Sequence, residues 1–148
     1  MPTFDEQLKA LNTSAVRICD EAGAISWNGE GWTPAIILGH IVDVDKEVWM
    51  ARFQMMRDAK ANGAPIPQLA WWEPDPVATA EKYADYTVSQ SQQLLIDSRA
   101  TMIEYLTGMP HEDRAAAAEH KTFGPITIES MLQVILDHDE EHRSSLTK

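Results

Sequence analysis

Residues Ile135–Leu146 read ILDHDEEHRSSL, and their phasing decides how the chain is to be folded. Upstream, Ile128, Met131 and Ile135 follow one another at helical spacings of three and four. Continuing that rhythm gives His138, His142 and Ser145. Two histidines thus occupy the stripe that should face the interior of a helical bundle. They are one turn apart on one face, close enough to hold a single metal ion.

Working outward, Thr127 can cap this helix, which should run to about Leu146. The stretch 110–124 before it reads as a connection with one short helical candidate, Asp113–Glu119. A long third helix is expected from Asp75-Pro76 to about Thr107, since an N-cap followed by proline is a helix start. Its one side carries Ala80, Tyr83, Thr87, Ser91, Leu94, Ser98, Met102 and Tyr105, a seam that is small and polar in the middle. Gly108 and Pro110 end it. Gly63, Pro65 and Pro67 forbid helix across Asn62–Trp72, which also offers Leu69, Trp71 and Trp72. A second helix should cover Pro34 to about Ala61 behind the cap Thr33, with the seam Ile37, Ile41, Val44, Val48, Ala51 and Met55. The first should run from Thr3 to Ala22 along Phe4, Leu8, Leu11, Ala15, Ile18 and Ala22, ending at Gly23. No strand signal, internal repeat or low-complexity run is visible. The expectation is an all-α protein, four helices in one bundle forming a single domain over residues 1–148.

Composition narrows the function. The 148 residues suffice for a core without staples. With 12 basic and 23 acidic residues the net charge is −11, which disfavours nucleic acid and anionic membrane surfaces as partners. No apolar run reaches spanning length, and MPTFDEQLKA lacks the features of a signal peptide. The single cysteine, Cys19, lies beside the first seam as a small buried hydrophobe and fits a reducing compartment. A soluble, cytoplasmic protein is expected.

His40 is a third histidine in phase with the core, on the second helix beside Ile37, Ile41 and Val44. Three neutral imidazoles leave coordination positions open on a divalent ion, the pattern of a reactive rather than a structural site. Imidazole suits zinc, nickel, iron or copper about equally, so the donor type does not name the metal; zinc or nickel is expected first, with iron or manganese as alternatives. Asp137, Asp139, Glu140 and Glu141 crowd the C-terminal half of the last helix, where the macrodipole disfavours negative charge; a cation would offset them, and so would solvent with Arg143 and Lys148. Asp139 after His138 is one methylene shorter than the glutamate base of the zinc-protease helix, so a protease is not expected. Asp43 and Glu141 are candidates to orient a ligand or take a proton, with Glu47 a further second acceptor for a ring nitrogen; plain exposed charges are the alternative for each. His111 and His120 read as loop residues. Trp32, Trp71 and Trp72 are candidates for a pocket wall or simply for a cap on the core.

Trp32-Thr-Pro leading into Gly39-His40-Ile-Val-Asp43, and Phe123-Gly124-Pro-Ile-Thr127-Ile-Glu129 leading into His138-Asp139-Glu-Glu-His142, resemble the DinB/YfiT-like superfamily of metal-binding four-helix bundles over nearly the whole chain. The resemblance implies an up-down-down-up bundle with a long crossover between the second and third helices. It implies a divalent metal on His40, His138 and His142, and often a homodimer. Relatives of this kind include transferases and isomerases that use low-molecular-weight thiols, and metal-dependent hydrolases. Two functions follow as expectations. One is an enzyme whose metal activates a small thiol, or water, for attack on a small electrophilic substrate. The other is a metal-binding or protein-interaction bundle without turnover. A third reading, a plain bundle with histidines in its core, stays open at this point.

Overall fold

A computed structural model describes residues 2–146. Helix α1 (Phe4–Ala24) is capped by Thr3, whose side chain accepts from the Glu6 amide. Helix α2 (Pro34–Val44) starts at the Thr33 cap, passes without a break through a π-helical segment (Asp45–Met50) and continues as α3 (Ala51–Asn62), closed by Gly63 in the left-handed conformation at φ 62°. Strand β1 (Gln68–Leu69) and the short helix α4 (Pro76–Tyr83) follow, then α5 (Val88–Thr107). A 3₁₀ turn (His111–Ala115), strands β2 (Ala117–His120) and β3 (Gly124–Thr127), and helix α6 (Ile128–Leu146) complete the chain. The rods α1, α2–α3, α5 and α6 form the bundle.

Four expectations need correction. The protein is mostly helical but not all-α: β1 pairs parallel with β2, and β2 antiparallel with β3, with Leu69 opposite His120 and His120 opposite Gly124. Strands of two to four residues are too short to display an alternating pattern. The helical candidate Asp113–Glu119 is divided between the 3₁₀ turn and β2. The third helix is two helices, because Thr87 is an N-cap rather than an interior residue: it accepts from the Gln90 amide, and the Gln90 side chain accepts from the Thr87 amide. Finally, the seam predicted for the second helix holds from Ile41 to Val48 and then fails. Ala51 and Met55 are exposed, while Trp49, Phe53 and Met56 are buried. A π turn takes one residue more than an α turn, so the inward face advances past the π-helical segment.

The core is in two parts. One apolar cluster gathers Phe4, Leu8 and Leu11 with Phe53, Met102, Ile128 and Ile135; the other gathers Ala15, Ile18, Leu38, Ile41 and Leu95. Between them on each rod stands a polar group. Arg99 of α5, 1% exposed, donates from Nε and Nη2 to Asp45 (3.2 and 3.2 Å), from Nη1 and Nη2 to Asp139 (2.7 and 3.0 Å), and from Nη1 to the Leu11 carbonyl (2.9 Å). All five guanidinium donors are used. Ser98 Oγ donates to Asp45 and Ser14 Oγ to Asp139. This layer accounts for the polar middle of the α5 seam at Ser98, and it is why Asp139 is buried rather than solvated. Burial by itself would lower the Arg99 pKa, but the two carboxylates raise it; burial pushes the Asp45 carboxyl up against the opposing pull of Arg99. Among the described residues no helix is long and apolar enough to cross a membrane.

Candidate functional site

The three histidines phased with the core meet at one point. His40 Nε2 lies 3.1 Å from His142 Nε2, and His142 Nε2 lies 3.1 Å from His138 Nε2. All three nitrogens fall within 4.8 Å of one another. His138 and His142 come from successive turns of α6, and His40 crosses to them from α2. Gly39 matters to this crossing: a Cβ there would sit 2.5 Å from the Tyr83 ring, so only glycine lets α4 pack beside His40. His138 and Asp139 are adjacent, yet helical geometry turns one toward this cluster and the other into the Arg99 layer.

Burial disfavours the charged imidazolium. Together with the neighbouring rings it pushes His40 down to about 4 and His138 down to about 3 from an ordinary 6.5; burial also lowers His142. The cluster is therefore neutral at pH 7, with lone pairs available to a cation. Nitrogens held about 2.0–2.1 Å from a tetrahedral ion lie roughly 3.3 Å apart, so the observed spacings fit such an ion. Nδ1 of His40 and of His138, on the ring edge away from the converging Nε2 atoms, are buried without a partner.

The rings are positioned by aromatic packing. Trp32 and Trp72 flank His40, at centroid distances of 5.2 and 6.3 Å, and Trp49 meets His138 edge-on at 5.8 Å. The expected carboxylate partners are elsewhere. Asp43 accepts from Tyr83 Oη (2.6 Å) and Lys82 Nζ (2.8 Å), which ties α4 to α2, and makes no bond to His40. Glu47 is exposed. Glu141 is exposed too, but lies on the rim of the cavity that the histidines floor.

That cavity has a volume of about 460 Å³. Trp32, Trp49, Trp71, Trp72 and Phe123 form its walls, so the tryptophans singled out from the sequence do line a pocket. Trp71 and Phe123 stay half-exposed at its mouth with ring centroids 6.3 Å apart. Two polar lining residues, among others, were not legible as site residues. His120, which reads as a loop histidine, is buried on β2, and Arg52 becomes inward-facing only because the π-helical segment rotates α3. Outside the cavity, Cys19 is buried, and burial pushes its thiol up to about 11, which makes it unreactive. His111 opens the exposed 3₁₀ turn away from the site.

Comparison with known proteins agrees with this architecture. YfiT from Bacillus subtilis, described as a probable metal-dependent hydrolase with an unusual four-helix bundle topology, superposes with a TM-score of 0.72 at 18% identity, over 97% of this chain and 83% of that one. Such identity establishes a shared fold. Comparison with curated proteins gives no match. The model of the DinB superfamily matches residues 3–146, and the chain belongs to that superfamily.

Proposed function

We propose that His40, His138 and His142 hold one divalent metal ion, and that the cavity above them is the active site of a metal-dependent enzyme acting on a small molecule. The observation that carries this reading is the convergence of three neutral imidazoles, Nε2 toward Nε2, on the floor of an aromatic-walled cavity. Bound there, a divalent ion supplies Lewis acidity and a nucleophile at neutral pH, drawn from water or from a low-molecular-weight thiol. The description of YfiT as a probable metal-dependent hydrolase supports the water branch; the thiol branch rests on the family resemblance. The up-down-down-up helix order rests on the family resemblance.

This chain's own residues divide the remaining work. The indoles of Trp32, Trp49 and Trp72 hold the imidazoles in place and strip water from one face of the cavity. Glu141, on the rim beside His142, is the carboxylate placed to accept a proton. Asp43 is a positioning residue that fixes α4, and with it the wall near His40.

Elemental analysis after dialysis without chelator tests the reading. About one divalent metal per chain in the wild type and none in His138→Ala is the expected result. Negligible metal in both, even after incubation with zinc, nickel and manganese, would sink it. Metal uptake without turnover across ester, amide and thiol–electrophile panels would reduce it to a metal-binding bundle.

A further inference from the structure

The cavity carries a cation that the metal reading does not use. Among the described residues Arg52 is the only lysine or arginine lining it, in a chain with nearly twice as many acids as bases. The guanidinium is partly buried, and among the described residues its one hydrogen bond runs from Nη2 to the Ala70 carbonyl at 2.6 Å. It has no carboxylate partner among the described residues. A carbonyl occupies one of five donors and brings no counter-charge. Desolvating an arginine without a counter-ion is costly, as the downward shift of its pKa by burial reflects. Arg99, by contrast, is enclosed by two carboxylates.

His120 supplies a second donor in the same cavity. Its Nδ1 accepts from the amides of Thr122 (3.0 Å) and Phe123 (3.3 Å), inside the β2–β3 turn. An acceptor at Nδ1 fixes the neutral tautomer with its proton on Nε2. That N–H has no protein partner among the described residues, in a side chain that lines the cavity. Burial and the nearby Arg52 both hold the ring in this neutral form. The Arg52 Cζ atom lies 5.9 Å from the Trp49 ring, and that ring lies 5.8 Å from His138, so the same indole neighbours both the guanidinium and the histidine cluster.

We propose that Arg52 and the Nε2–H of His120 form a carboxylate-binding subsite, and that the cavity takes a small aromatic or arylalkyl carboxylic acid. The planar guanidinium suits a carboxylate, and the aromatic walls suit a flat apolar body. Glu73, Asp137 and Glu141 also line the cavity and disfavour a dianion such as a phosphate monoester. The inference rests on the reading of this cavity as a substrate site, but not on a metal being present.

Four of the chain's five tryptophans line the cavity, so intrinsic fluorescence reports occupancy. The probes are 3-phenylpropionate and its uncharged isostere 3-phenylpropionamide, titrated into chelator-treated full-length protein. The wild type should bind the acid at least about tenfold more tightly than the amide, a charge-assisted contact being worth roughly that much. Arg52→Gln should abolish the preference by weakening the acid alone, and Arg52→Lys should retain part of it. His120→Asn keeps an acceptor for the turn, removes the Nε2 donor, and should cost the acid about threefold to tenfold. Circular dichroism confirms that each variant is folded. Equal binding of acid and amide, no binding of either, or a preference that survives Arg52→Gln would overturn the proposal. In His138→Ala the preference should persist; its loss there, with Arg52→Gln unaffected, would place the acid on the histidine cluster and overturn the subsite. Metal uptake failing while the acid preference stands would overturn only the metal reading.

Discussion

Two inward-facing polar clusters sit one residue apart in this bundle, and they are built on opposite principles. Asp139, with Asp45 and Arg99, belongs to a layer in which every guanidinium donor is matched and serine hydroxyls donate to both carboxylates. His138, with His40 and His142, belongs to a cluster in which three acceptor nitrogens crowd together and two Nδ1 atoms have no partner. A saturated network is complete as folded and has nothing left to offer a ligand. An unsaturated one is stable only because the rest of the fold holds it, and its unmet capacity is what a ligand can use. The difference in saturation separates a structural polar group from a functional one better than position does, since both clusters join α2 or its π-helical extension to α6.

The sharpest way to break the comparison is to unbalance the saturated layer. Arg99→Met removes the cation and leaves Asp45 and Asp139 facing each other in the core. The expected loss of stability is about 3–5 kcal/mol, read from urea denaturation at pH 7. A loss below about 1 kcal/mol would mean that the layer relaxes or hydrates, and the contrast between the clusters would fail.

How much of this contrast the sequence carried depends on periodicity. The histidine cluster was legible because His40, His138 and His142 continue apolar seams, and phase survives from sequence to structure in uninterrupted α-helix. The Arg99 layer was not legible. Asp139 lies between two histidines in a run of acids and looks solvated, and Asp45 opens a π-helical segment that no propensity announces. The same segment shifts Arg52 and Trp49 onto the cavity side and defeats the seam through Ala51 and Met55. The division of the third helix was present in the sequence as Thr87-x-x-Gln90, a capping box concealed by a continuous run of helix-compatible residues. The sheet, and with it the burial of His120, depends on pairing between Gln68–Leu69 and Ala117–His120, a long-range contact without local signal.

Acid titration is the next test. The unfolded chain binds protons at histidine near pH 6.5, whereas His40 and His138 in the fold resist protonation down to about 4 and about 3. Between these limits the unfolded state holds more protons, so their contribution is fully present above about pH 6.5 and is lost as the pH falls. Metal-free protein should lose about 2–4 kcal/mol between pH 6.5 and 4.5, a window above most carboxylate titration. The double variant His40→Leu/His138→Leu should show a clearly shallower slope over that window, the remainder coming from His142 and His120, which burial also holds down. An equal slope in both proteins would assign the acid sensitivity elsewhere.

The smallest effect makes the most direct comparison, because it substitutes neighbours. His138→Leu replaces a buried imidazole with an unpartnered Nδ1 by an apolar group of similar size, so in metal-free protein it should leave stability unchanged or raise it by about 1 kcal/mol. Asp139→Leu, one residue on, strips Arg99 of two of its five bonds and leaves Ser14 without its acceptor, and should instead destabilise by about 3–5 kcal/mol. The sign reverses on adding metal: the wild type should gain stability with zinc or nickel according to its affinity, while His138→Leu should not respond. Substitutions of like sign and size at 138 and 139, in metal-free protein, would mean that the histidine cluster is as self-sufficient as the arginine layer. The case for a ligand there would then lose its physical basis.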